Sequence, residues 1–151
     1  IKMAATMDRQ LFEKIAVSAD LRSDIDAIIC RCLELKRRVV EADPKESGLR
    51  HVLNFGHTVG HAIEAASGGT LLHGEAVGIG MLHFSGADVR REIEKVLEKY
   101  SLPIATSIPQ ETLMNYIAHD KKASGDEVTV VRVDTLGEFE FCSININDIL
   151  L

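Results

Sequence analysis

The chain has 151 residues, 46% of them hydrophobic, and a formal charge of -6 at pH 7, enough for one globular domain with its own core. The negative balance and the lack of any basic run exclude a phosphate-backbone or membrane-surface footprint. No apolar stretch is long enough to span a bilayer, and no signal-peptide pattern opens the chain.

The opening Ile1-Lys2-Met3-Ala4-Ala5 reads as the interior of an element, so the chain is expected to be a fragment of a longer protein. A helix is predicted over about residues 8–17, with Leu11, Phe12 and Ile15 on one side. A long helix follows from about residue 20 or 23 to 41, its Ile25, Ile28, Ile29, Leu33, Val39 and Val40 recurring at helical spacing. The odd count of three cysteines, with Cys30 and Cys32 two apart on this helix, points to reduced thiols and a cytoplasmic protein. Lys36 shares a stripe with Ile25, Ile29, Cys32 and Val40; it either snorkels to water or aims its charge into a closed cavity.

After a polar turn at 43–48, the pattern predicts a helix from near residue 49 to 66, stopped by Ser67-Gly68-Gly69. Residues 70–73 bridge to a helix over about 74–82. Residues 88–100 form an amphipathic helix with Ile93, Val96, Leu97 and Tyr100 inward, and Pro109 opens another to about 118. Residues 127–133 and 138–144 alternate as two strands joined by Asp134-Thr135-Leu136-Gly137. The expected fold is mainly α, a multi-helical domain with a small β-hairpin near the C-terminus.

The segment 50–64 carries the chemistry. At about 100° per residue, Arg50, Asn54, His57, His61 and Glu64 fall on one face, opposite Val52, Phe55, Val59, Ala62, Ile63 and Ala66. Solvated faces use Lys and Glu; guanidinium, amide and imidazole groups instead orient an anionic or hydroxylated ligand. Gly56 and Gly60 cost roughly 1 kcal/mol each in a helix interior, which suggests that a backbone or a ligand comes close there. His57 and His61 are four apart, a spacing that lets two imidazoles share a zinc ion, but Thr58 stands where a zinc protease has its Glu. His73 precedes Gly74-Glu75 at a new helix. A catalytic metal needs about three protein ligands, and spacing leaves the choice open among the three histidines and Glu46, Glu64 and Glu75.

Leu53-Asn54-Phe55-Gly56-His57-Thr58-Val59-Gly60-His61-Ala62-Ile63-Glu64, followed by Leu72-His73-Gly74-Glu75-Ala76-Val77-Gly78-Ile79-Gly80-Met81, closely resembles the 3-dehydroquinate synthases. The resemblance extends upstream through Lys36 and Asp43 to Arg50, and downstream to His119-Asp120-Lys121-Lys122. It implies an N-terminal α/β domain that binds NAD, absent from this chain, and a helical metal- and substrate-binding domain, residues 1–151. Ile1-Lys2 matches the end of a Glu-x-Ile-Lys motif whose Glu, just upstream of Ile1, is the third zinc ligand. By the same resemblance His57 and His73 are the metal ligands, and His61 is a substrate-facing catalytic histidine. Lys2, Lys36, Arg50, Asn54 and Lys122 align with residues that hold the substrate's carboxylate, hydroxyls and phosphate, and Glu46 with an active-site carboxylate. Lys2, Lys36 and Glu46 join His61 in the catalytic set.

The implied reaction turns 3-deoxy-D-arabino-heptulosonate 7-phosphate into 3-dehydroquinate and phosphate, with catalytic NAD and Zn2+ or Co2+, in aromatic amino acid biosynthesis. A homodimer is expected, and the fragment alone is expected to be inactive. A related sugar-phosphate cyclase acting on sedoheptulose 7-phosphate is one alternative, a metal-dependent alcohol dehydrogenase-like domain another, and a stand-alone helical binding module the non-enzymatic one.

Overall fold

The computed structural model describes residues 1–121 and 127–149. Two short helices open it, α1 (Lys2–Met7) and α2 (Arg9–Val17), followed by the long α3 (Leu21–Ala42). The Asp8 carboxylate starts α2 by accepting from the Leu11 N–H at 2.9 Å, and Asp20 starts α3 by accepting from the Arg22 N–H at 3.0 Å. Asp8 also receives Arg31 at 2.6 Å, which ties the middle of α3 to the start of α2.

A helical hairpin lies at the centre, α4 (His57–Ala66) and α5 (His73–His83), flanked by α6 (Ala87–Lys99) and α7 (Gln110–Lys121). Residues 76–82 of α5 are buried without a break, as expected of a helix enclosed on all sides. Phe55, Ile63, Ile79, Ile93, Leu97 and Ile117 are almost wholly removed from solvent around it. Lys99 Nζ donates to the Ala16 and Ser18 carbonyls at 2.6 Å each, and the Tyr100 hydroxyl donates to Ile15 O at 2.7 Å, so the end of α6 holds the end of α2.

The strands β1 (Glu127–Arg132) and β2 (Glu140–Asn145) pair antiparallel, with Thr129 opposite Ser143 and Val130 opposite Cys142. Their alternation buries Val128 and Val130 and turns Glu127 and Thr129 outward. The hairpin is fastened at two points. Gly86 N–H donates to Val133 O at 2.9 Å and Val133 N–H to Phe84 O at 3.0 Å, while Gly137 N–H reaches Ala5 O of α1 at 2.8 Å. The three cysteines are free thiols. Among the described residues no helix is long and apolar enough to cross a membrane.

Two expectations from the sequence change. The single helix over 49–66 is two pieces, a 3-10 turn at Leu49–Asn54 and then α4. Gly56 breaks it in a left-handed conformation, φ 77°, that L side chains rarely adopt. A Cβ on Gly56 would also stand 2.7 Å from Met81 N and Val77 O of α5. The stripe bearing Lys36 is not a core stripe either. The buried face of α3 is Ile28, Leu35 and Val39, whereas Ile29 and Leu33 remain 48% and 61% exposed and Lys36 is exposed with them.

Candidate metal centre

The break at Gly56 places His57 at the first position of α4, and the turn after α4 places His73 at the first position of α5. The two helices run back to back because glycines face each other. A Cβ on Gly60 would lie 2.9 Å from Val77 Cα, and one on Gly80 would overlap the Gly56 carbonyl. Another backbone, rather than a ligand, is therefore what Gly56 and Gly60 admit. This close pairing brings the start of α5 beside the face of α4 that carries His57 and His61.

The three rings cluster. Centroids are 5.2 Å apart for His57–His61, 5.3 Å for His57–His73 and 5.7 Å for His61–His73. One ligating nitrogen from each lies within 4.8 Å of the others, which makes the three a group that could hold one ion. Among the described residues no carboxylate joins this set. Glu46 sits 3.5 Å from Arg50 Nε, Glu75 accepts from the Leu72 N–H at 2.8 Å, and Glu64 binds His73.

Hydrogen bonding separates the three histidines. His57 Nδ1 lies 3.1 Å from the Phe55 carbonyl, and His73 Nδ1 lies 2.8 Å from the Glu64 carboxylate. Both partners only accept, so both rings carry their hydrogen on Nδ1 and, when neutral, present a lone pair at Nε2. His61 has no such partner among the described residues, and its ring is exposed. Burial, and then the nearby Lys2 ammonium, lower the His57 imidazole to about 4, so it is neutral near pH 7, as a ligand must be. The donor set therefore fits a divalent cation.

Lys2 Nζ stands 3.5 Å from His57 Nε2 and donates to the Leu53 carbonyl. Burial, and then the charge of Lys36, lower Lys2 to about 8. Two clefts meet at His57. One, of about 680 Å³, is lined by Glu46, Asn54, His57 and His61 together with Thr129 and Ser143 of the hairpin. The other, of about 480 Å³ and mostly apolar, is lined by Ile1, Lys2, His57, Leu72, His73 and Met81. Arg50 is held at the rim through Glu46, and its side chain reaches the Pro44 carbonyl at 3.4 Å. Lys122 lies outside the described residues.

Sequence reasoning missed the hairpin wall. Ser143 Oγ donates to Glu127 at 2.8 Å beside Thr129, and the only available signal was the polar half of the strand alternation. It placed Asp43 in the polar turn and in the resemblance without a role; Asp43 is a buried carboxylate that accepts from the N–H groups of Ser47, Gly48 and Arg50 at 2.9, 2.8 and 2.9 Å. That carboxylate shapes the turn from which Glu46 and Arg50 project.

The family model described as 3-dehydroquinate synthase C-terminal matches residues 1–123. The 3-dehydroquinate synthase of Enterococcus faecalis is 34% identical over 99% of this chain and 46% of its own length, so the chain spans about half of that relative. The fold matches 2-epi-5-epi-valiolone synthase of Streptomyces hygroscopicus, solved with NAD+ and Zn2+ bound, at a TM-score of 0.81 and 19% identity, over 98% of this chain and 46% of that one. It also matches 2-deoxy-scyllo-inosose synthase, solved with carbaglucose-6-phosphate, NAD+ and Co2+, at a TM-score of 0.76 and 18% identity, over 97% of this chain and 47% of that one.

Proposed function

The chain belongs to the 3-dehydroquinate synthase family, matching its C-terminal part, and from that premise we propose that it is the metal- and substrate-holding domain of an enzyme converting 3-deoxy-D-arabino-heptulosonate 7-phosphate to 3-dehydroquinate and phosphate. One observation carries the reading. His57 and His73, from the starts of two different helices, converge with Nδ1 bonded to acceptors and Nε2 left for a metal.

His57 and His73 would hold Zn2+ or Co2+, the ions in the two solved neighbours. When bound, the metal supplies a Lewis acid for a substrate oxygen. Ile1 and Lys2 line the same cleft, so a Glu in the Glu-x-Ile-Lys position would enter from the side where α1 begins and complete three protein ligands. His61, exposed and without a hydrogen bond among the described residues, is the group free to exchange a proton with a substrate oxygen. Asn54 and Glu46 face the larger cleft and suit hydroxyls. Lys2 lines the apolar cleft, Lys36 is close enough to act on its charge, and Arg50 pairs with Glu46 of the larger cleft; with Lys122 these cations suit a carboxylate and a phosphate.

The described residues do not fit a dinucleotide, since their one sheet is a two-stranded antiparallel hairpin rather than a parallel sheet with a glycine-rich turn. We assign the NAD contacts to the half of the relatives' length that this chain does not span, and expect a cytoplasmic homodimer.

The full-length protein should turn over 3-deoxy-D-arabino-heptulosonate 7-phosphate, lose activity to a chelator and regain it with Zn2+ or Co2+. Chelator-resistant turnover would sink the reading. The rival is a related sugar-phosphate cyclase acting on sedoheptulose 7-phosphate. Assaying both substrates on the same preparation separates the two.

A further inference from the structure

His73 is the first residue of α5, and its side chain is 52% exposed. A ring in that position has staggered wells to choose from and a short helix turn to lean on. What holds it is Glu64, in the last turn of α4, whose carboxylate lies 2.8 Å from His73 Nδ1. Glu64 follows His57 by seven residues and His61 by three, so it shares their face of α4. The pair therefore ties the orientation of the third histidine to the helix that carries the other two.

We propose that Glu64 is a positioning residue for metal binding: it fixes the Nδ1–H tautomer and ring direction of His73, so that Nε2 faces His57 and His61. This rests on the reading of His73 as a metal ligand. Two physical points favour positioning over the plainer alternatives. An ion pair with side chains 52% and 40% exposed contributes little to stability, so fold stability does not explain the contact. Glu64 is also not a member of the mutually close donor set among the described residues, so it acts through the imidazole rather than on the ion. Carboxylates bonded to the far nitrogen of a ligating histidine orient the ring and raise its basicity. Glu75, the other carboxylate near His73, is engaged in holding the Leu72 N–H. It sets the first turn of the helix, and Glu64 sets the ring.

The test is metal affinity in the full-length protein. Zn2+ and Co2+ dissociation constants are measured against a chromophoric chelator for wild type, Glu64→Ala, Glu64→Gln and His73→Ala, with the visible spectrum of the Co2+ forms and the Tm of the metal-free forms. Glu64→Ala is expected to weaken the metal roughly 10- to 100-fold and to change the Co2+ spectrum, with the metal-free Tm moved by no more than about 3 °C. Glu64→Gln, whose amide oxygen still accepts from Nδ1–H, is expected to recover most of the affinity. Wild-type affinity in Glu64→Ala, with the metal lost in His73→Ala, overturns the positioning role and leaves the ligand assignment standing. Wild-type affinity in His73→Ala overturns the assignment beneath it. If Glu64→Ala lowers the metal-free Tm, Glu64→Gln decides: a restored Tm without restored affinity makes the contact a structural clamp and ends the proposal.

Discussion

Lys2 Nζ lies 3.5 Å from His57 Nε2, so an ammonium faces the ring nitrogen that the Phe55 carbonyl leaves open by holding Nδ1. A metal at the histidines must share this space with a positive charge. Like charges about 4 Å apart repel by about 1 kcal/mol per charge pair even in water. Lys2→Met, which keeps the apolar stem, should therefore tighten Zn2+ roughly fivefold or more and, on the substrate-holding role proposed for this cation, lower kcat. Affinity moving one way and turnover the other is the signature. An unchanged dissociation constant would place the ammonium elsewhere when the metal is bound.

The three clustered histidines should not behave alike. His57→Ala and His73→Ala should lose metal and activity together, since each removes an Nε2 held by a fixed tautomer. His61→Ala should keep its metal within about twofold while kcat falls roughly 10²- to 10⁴-fold, the usual worth of a proton-transferring group. Metal content by atomic emission, measured beside kcat, separates the two classes. Metal lost from His61→Ala would make that ring a ligand and undo the distinction.

Much of this arrangement is legible in the amino-acid sequence. Helical spacing placed Ile93, Val96 and Leu97 inward, and all three are buried. Strand alternation placed the hairpin, with the observed strands running from residue 127 to 132 and from 140 to 145. The break before His57 was not legible, because the wheel through residues 50–64 reads as one helix with a single polar face. Its cause lies about twenty residues on, where Val77 and Met81 leave room only for a glycine. The surroundings of Lys36 stayed open for a different reason. Periodicity shows that α3 has faces, not which face is covered, and the one bearing Ile29 and Leu33 is left open. The motif residues His57, His61 and His73 meet as their spacing allowed. The partners that tell them apart, Phe55 O and Glu64, belong to tertiary geometry.

The α4–α5 contact makes a graded prediction about glycines. Gly60→Ala, meeting Val77 Cα at 2.9 Å, should cost about 1–3 kcal/mol by overpacking. Gly80→Ala sets a methyl against the Gly56 carbonyl and should cost more, with loss of the histidine cluster's metal affinity as the helices part. Gly74→Ala, with nothing within 4 Å of the new methyl, should be neutral or stabilise by up to about 1 kcal/mol through helix propensity. Chemical denaturation of the three variants measures the series. Equal effects at residues 60 and 74 would mean that the helices can separate freely.

Asp43 gives the fold a pH-sensitive joint. Its carboxyl is held well below the usual carboxylate range, first by the Arg50 N–H, then by the Ser47 and Gly48 N–H groups and the Ser47 hydroxyl. The sign follows from linkage. A folded-state pKa below the unfolded value means that the ionised form stabilises the fold, with the full contribution above the unfolded value of 3.8 and progressive loss as pH falls toward the lower folded value. Protonation releases the turn that carries Glu46 and Arg50, so the loss should register in the site as well as in the Tm. Asp43→Asn is expected to lower the Tm at pH 7 and to flatten its fall between about pH 4 and pH 2. Wild type and variant should therefore converge at the acid end. Parallel Tm profiles for the two proteins across that range would show that the turn is held by something other than this carboxylate.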